Sequence, residues 1–177
     1  MEVLINYKFR DFLKQDPELI HEYITYLEFI KPIDTFQDVF YMKLKHVDFI
    51  KDNLMESDVG IIVKIISMVQ KISTKEVYNM EIITLYGLLN SIRNQIDTIV
   101  QAELNSLCSN HANFKWESVN GSEKLHKFGI YNTLESVSNG DITKWKSIMN
   151  IPYSDIFTKM YMDRVKADLQ MEMEQIK

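Results

Sequence analysis

Residues 73–108 read STKEVYNMEIITLYGLLNSIRNQIDTIVQAELNSLC, and the spacing of their apolar side chains decides the fold class. Ser73 and Glu76 stand three apart, the pattern of a capping box that satisfies two free amides at a helix start. Tyr78, Ile82, Leu85, Leu89, Ile92, Ile96 and Ile99 follow in steps of 4, 3, 4, 3, 4 and 3. Those steps carry all of them along one side of a helix, as three heptads of a coiled-coil-like seam. The stripe then shifts by one residue to Val100, Leu104 and Leu107. The spacing predicts one helix from 74 to about 108, roughly 50 Å long at 1.5 Å per residue. That exceeds the width of a compact domain of this size. The helix is either the spine of an elongated bundle or a stripe that meets a second chain.

The same period extends toward the N-terminus. Asp16-Pro17-Glu18 is a strong helix start: aspartate caps, proline suits the first helical position, and glutamate favours the positive end of the dipole. Leu19, Ile20, Tyr23, Ile24, Leu27 and Ile30 follow at helical spacing and stop before Pro32. A shorter helix is expected over about 6–14. Thr35 reads as the cap of a helix from Phe36 to about Leu54, with Val39, Phe40, Leu44, Val47 and Ile50 as its stripe. Ser57 or Asp58 starts another, with Val59, Ile62, Ile66 and Val69 inward.

Toward the C-terminus the pattern breaks. Residues 109–129 are polar, with an Asn120-Gly121 turn signal and Phe114 and Trp116 alternating with polar neighbours, so a loop or small β-hairpin is expected. A short helix over 130–138 stops at Asn139-Gly140. Asp141 caps the next, which carries Ile142, Trp145, Ile148 and Met149. Pro152 starts a last helix, expected to bury Tyr153, Phe157, Met160, Tyr161, Val165, Leu169, Met173 and Ile176. The resulting expectation is an all-α fold: an elongated helical bundle over 1–110 with one long central helix, a loop or hairpin insertion over 111–129, and a jointed helical arm over 130–177.

Composition narrows the function classes. The chain has 177 residues, a net charge of −5 and a pI near 5.4. That balance lacks the basic excess that displaces counterions from a nucleic acid, and it argues against anionic membranes. The local group Lys43, Lys45, His46 and Lys51 reads as a solvated helix face. Cys108 is the single cysteine, so no disulfide can form within the chain and a reducing compartment is expected. The first residues lack the signature of a secretory signal. The apolar run VGIIVKIISMV is interrupted by Lys64 and is too short for a membrane span. Three alanines beside many Ile, Asn, Lys and Tyr suit an A+T-rich genome, a low-GC bacterium or one of its viruses.

No catalytic, cofactor-binding or metal-binding residue stands out. Phosphate-loop, dinucleotide and nucleophile-elbow motifs are missing from the sequence. His21-Glu22 opens like a zinc-protease motif, but Thr25 stands where the second histidine belongs. Cys108 and His111 make only half of a tetrahedral site. Glu18/His21 and Glu123/His126 both have the E-x-x-H spacing of di-iron bundles, with Glu28, Glu81 or Glu103 as possible partners. Glu18 lies at a helix start and Glu123 beside a turn, a poor setting for ligands that must project from mid-helix. The di-metal enzyme is therefore an outsider, and a non-enzymatic protein that binds other proteins is the leading expectation.

The stretch GIYNTLESVSNGDITKWKSIMNIPYSDIFTKMYMDR, residues 129–164, resembles the C-terminal part of small helical proteins from the structural gene blocks of tailed bacteriophages, the crAss-like group among them. Gly140, Asp141, Ile142, Lys144, Trp145, Pro152 and Tyr153 carry the resemblance. It implies a virion component such as a connector, tail ring or hub, or alternatively a tail-assembly chaperone; a bacterial helical adaptor is the reading without it. It implies as partners other phage structural proteins or further copies of the chain, and as location the virion or the host cytoplasm. Trp145, Tyr153 and Phe157, with Trp116, Met171 and Met173, are the expected partner-binding residues, because aromatic anchors and adaptable methionines supply contact area.

Overall fold

The computed structural model describes residues 7–56, 58–108 and 114–176. In chain order the helices are α1 (Phe9–Phe12), α2 (Pro17–Leu27), α3 (Leu44–Asn53), α4 (Val59–Gln70), α5 (Thr74–Tyr78), α6 (Ile82–Leu107), α7 (Phe114–Ser118), α8 (Gly121–His126), α9 (Ile130–Ser138), α10 (Trp145–Ile148) and α11 (Tyr153–Gln175). The chain is all-α, with two isolated β-bridges and no strand among the described residues. It divides into two compact units, Met1–Val39 with Phe49–Thr98, and Phe40–Asp48 with Ile99–Lys177.

In the first unit the capping box forms. Ser73 Oγ accepts from the Glu76 amide at 3.3 Å, and Glu76 Oε2 accepts from the Ser73 amide at 2.8 Å. The helix it starts is short. One helix was expected over 74–108, but the chain breaks at Asn79–Glu81 and restarts as α6. The cause is a tertiary pairing: the Phe9 amide donates to Met80 O at 2.8 Å, and the Ile82 amide donates to Tyr7 O at 2.9 Å. Lys8 and Glu81 thus form an antiparallel bridge. The 26 residues of α6 span roughly 39 Å. Its seam survives the break, with Ile82, Leu85, Leu89, Ile92 and Ile96 buried together with Phe12, Leu27, Ile66 and Val69. Each such side chain contributes about 1.5–3 kcal/mol through burial.

The first unit's other caps are mixed. Asp16 accepts from the Glu18 amide at 2.9 Å and starts α2, and Asp58 accepts from the Ile61 amide at 2.9 Å and starts α4. Ser57 lies outside the described residues. The helix expected from Phe36 to Leu54 does not start at Thr35. Gln95 Oε1 takes the Val39 amide at 2.8 Å, Gln95 Nε2 donates to Thr35 Oγ1 at 2.9 Å, and Gln70 Oε1 takes the Phe36 amide at 3.3 Å. These side chains keep residues 35–38 out of a helix, a 3₁₀ turn follows at Val39–Tyr41, and α3 begins only at Leu44. Leu44, Val47 and Ile50 of the expected stripe are buried nonetheless.

In the second unit, residues 42–45 lie against 149–153. The Tyr153 amide donates to Met42 O at 2.7 Å and the Leu44 amide to Ile151 O at 2.9 Å. Asn139 and Gly140 take positive φ (52° and 81°) and end α9, and Asp141 caps the turn that follows through the Thr143 amide at 3.0 Å. A loop or hairpin was expected before α9; residues from Phe114 instead form the helices α7 and α8. A two-residue hairpin turn of the Asn-Gly kind needs positive φ at both residues, and only Asn120 has it, at 51°. Gly121 enters α8, and the Trp116 indole lies on it: a Cβ there would sit 2.3 Å from Trp116 Cε2.

Candidate interaction surface

The root of α11 is built into its own unit. Tyr153 and Ile156 are buried, and Phe157 and Met160 half-buried. The Phe40 ring meets Tyr153 and Phe157 edge-on, with centroids 5.6 and 5.7 Å away. The Tyr153 hydroxyl donates to Glu103 Oε1 at 2.5 Å. Burial and then the Glu103 carboxylate push the Tyr153 phenol far above its ordinary range, so it stays a donor.

Past Met160 the helix changes character. Tyr161, Val165, Leu169, Met173 and Ile176 were expected inside; all five are exposed, as are Met162 and Met171. The polar pair Arg164–Asp168 is instead the covered part of this stretch, with side chains 18 and 16 % exposed. The distal half of α11 thus offers water a long apolar surface, and Arg164 and Asp168, with Tyr161 and Val165 at their sides, line a crevice with Asn105, Ser106 and Cys108 at the end of α6.

Of the expected contact residues, Trp145, Tyr153 and Phe157 are engaged within the chain. Trp145 rests against the Tyr131 ring at 5.4 Å, and its Nε1 donates to Ser138 Oγ at 3.2 Å. Trp116 is part-exposed and donates to Ser122 Oγ at 3.0 Å. Only Met171 and Met173 sit on the open stretch of α11. Sequence reasoning missed Met162 there, and placed Val165, Leu169 and Ile176 in the core. The signal available was the step size of the stripe, four residues each time from Tyr153 to Met173. A second apolar stretch is exposed at Phe114, Val119, Leu125, Phe128 and Tyr131.

The first unit carries a cleft of ≈ 770 Å³. Ile24, Leu54, Leu89 and Ile96 give it an apolar wall, while Glu28, Lys51, Arg93 and Asp97 bring both signs of charge. Asn90 lies at its floor: Nδ2 donates to Glu28 O at 3.1 Å and Ile30 O at 2.8 Å, and Oδ1 accepts from Arg93 Nη1 at 3.1 Å. Burial raises the Tyr86 phenol above its usual value, which leaves it neutral.

Among the described residues no three of His, Cys, Asp and Glu converge as metal ligands. Glu18, His21, Glu123 and His126 are exposed on their helices, and Glu103 is engaged by Tyr153. Cys108 is exposed, and His111 lies outside the described residues. Lys43, Lys45 and His46 surround the start of α3, where partial burial and then the two lysines hold the His46 imidazole below its ordinary value. Among the described residues no helix is long and apolar enough to cross a membrane. No family model, curated protein or solved structure matches this chain.

Proposed function

We propose that this chain is a non-enzymatic protein–protein interaction component of a phage particle, a head–tail connector, tail ring or hub protein, that works through the distal half of α11. The observation that carries the reading is the apolar surface of that half-helix, exposed from Tyr161 to Ile176. Contiguous apolar surface held in water is costly, and on soluble proteins it marks a place that another molecule covers. The resemblance of residues 129–164 to small helical phage proteins supports the particle setting. On this reading Tyr153, Phe157 and Trp145 fix the root of the helix, Met173 belongs to the contact face, Met171 is exposed on the opposite side of the helix, and Trp116 belongs to a second face.

The test is co-sedimentation. A tagged chain is produced during phage infection of the host, and the particles are banded on a density gradient. The chain at fixed ratio to the other virion proteins supports the reading. A chain bound to tail proteins in the lysate but missing from the banded particles points to the assembly-chaperone alternative. A chain in neither fraction overturns both.

A further inference from the structure

Four residues of α11 and Ile176, the C-cap residue just past its end, form a narrow seam on this surface. Met162, Val165, Leu169, Met173 and Ile176 are spaced 3, 4, 4 and 3 apart. At 100° per residue they fall within an arc of about 80° centred on Leu169. Each is between 41 and 79 % exposed. The ion pairs Lys159–Asp163 and Arg164–Asp168 close within the helix itself. Lys166 and Glu172 are exposed and take part in neither pair. They stand three residues before and three after Leu169, which sets them on opposite flanks of the seam, each about 60° from its centre.

We propose that the seam is covered by the same seam of a second copy of this chain, the two helices running parallel and in register. The flanking charges decide both the occupant and the direction. A two-fold pair is isologous, so its surface must complement itself. With parallel helices, the Lys166 flank of one copy lies along the Glu172 flank of the other, and this happens at both edges. The two side chains are then offset by about 9 Å along the axis, a stagger that a lysine and a glutamate reach across, as flanking charges do in coiled coils. With antiparallel helices, Lys166 flanks would face each other along one edge and Glu172 flanks along the other. Like charges would then meet twice. The pairing rests on reading distal α11 as a contact surface, and it names the partner.

Light scattering on the full chain, from about 1 to 500 µM, reads the association directly. The mass is expected to rise from 20.9 kDa toward twice that value. Leu169→Asp, Lys166→Glu and Glu172→Lys each hold it at the monomer, and an equimolar mixture of the two charge variants regains the dimer because each now complements the other. Unchanged helical circular dichroism in these surface variants shows that they are folded. Direction is read with Met162→Cys in a Cys108→Ser background. Parallel copies bring the two new thiols together, and oxidised glutathione links them; an antiparallel pair centred on Leu169 would hold them about 21 Å apart, far beyond disulfide reach. A wild-type chain that stays monomeric at the highest concentration overturns the pairing. So does a dimer indifferent to Leu169→Asp, a charge mixture that stays monomeric, or a Met162→Cys variant that does not cross-link. A monomer found in banded particles sinks this pairing but leaves the particle reading in place, and a dimer missing from particles does the reverse.

Discussion

Asn90→Ala tests how the first unit holds the chain that leaves α2. That helix ends at Leu27, and a helix end leaves carbonyls without intrahelical donors. Asn90, 8 % exposed in the middle of α6, supplies donors to two carbonyls just beyond it, at 3.1 Å to Glu28 O and 2.8 Å to Ile30 O. The next contact is the Ile33 amide on Gly87 O at 3.2 Å. A Cβ on Gly87 would come within 3.2 Å of Lys31 O, so backbone meets backbone there. Each hydrogen bond is worth about 1 kcal/mol net, and an acceptor left without a donor adds to the loss. Alanine removes both donors together, so about 2–4 kcal/mol of stability should go. With a urea m-value of about 2 kcal/mol/M, the midpoint falls by about 1–2 M. Asn90→Asp separates the two halves of the side chain. It keeps the acceptor for Arg93 and removes both donors, so its loss should be at least that of alanine. A midpoint drop below about 0.3 M for alanine, or an aspartate variant near wild type, would refute the clamp and leave the Arg93 contact as the reason for this residue.

Three further outcomes are expected. Tyr153→Phe removes the donor to Glu103 and should cost about 1.5–3 kcal/mol, the range for a bond to a charged group, read by thermal unfolding; an unchanged midpoint means the carboxylate finds another donor at no cost. Gly121→Ala must push the Trp116 ring off its seat, so indole emission should shift to the red while the melting of the rest of the chain hardly moves; unshifted emission would show that the ring does not rest there. His46 has its pKa lowered, so its neutral form is the one the fold favours, and its contribution is complete above the ordinary value of 6.5 and is lost as pH falls below it toward the folded value. A proton NMR titration should place its midpoint below 6.5, and His46→Gln should flatten the stability profile just below that pH; a midpoint at or above 6.5 contradicts the account.

Local chemistry was legible where it acts over a few residues. The Asp16, Asp58 and Asp141 caps and the Ser73–Glu76 box depend only on side chains reaching their own backbone, and the Asn139-Gly140 stop on two residues that tolerate positive φ. Readings failed where a distant residue outbid the local signal. Asn79–Glu81 carries no breaker, and its apolar period runs on unbroken; residues 7–9 interrupt it by taking the backbone groups of 80–82. Thr35 is a sound cap by type, but Gln95 and Gln70 claim the Val39 and Phe36 amides beyond it from 56 and 34 residues away. Nothing in the spacing of Asn90 and Gln95 along α6 says that their side chains serve the backbone of other segments.

The contact surface was misread for a different reason, one that lay in the sequence. Tyr153, Phe157, Tyr161, Val165, Leu169 and Met173 recur every four residues without a step of three. A step of four overshoots a helical turn by about 40°, so five such steps carry the stripe about 200° around the helix. A core-facing stripe alternates threes and fours to stay in place. This one starts on the packed face at Tyr153 and has turned to the opposite face by Leu169, which matches the change from buried to exposed near Met160. The drift divides α11 into a root that its own unit holds and a distal half that its own unit cannot cover. The residues that complete the distal seam, Met162 and Ile176, lie off the four-step run and on the centre line of the exposed face. A stripe that merely wandered would not acquire such closing residues, nor exposed charges of opposite sign on its two flanks. That pattern is the physical ground for assigning the distal half of α11 to association.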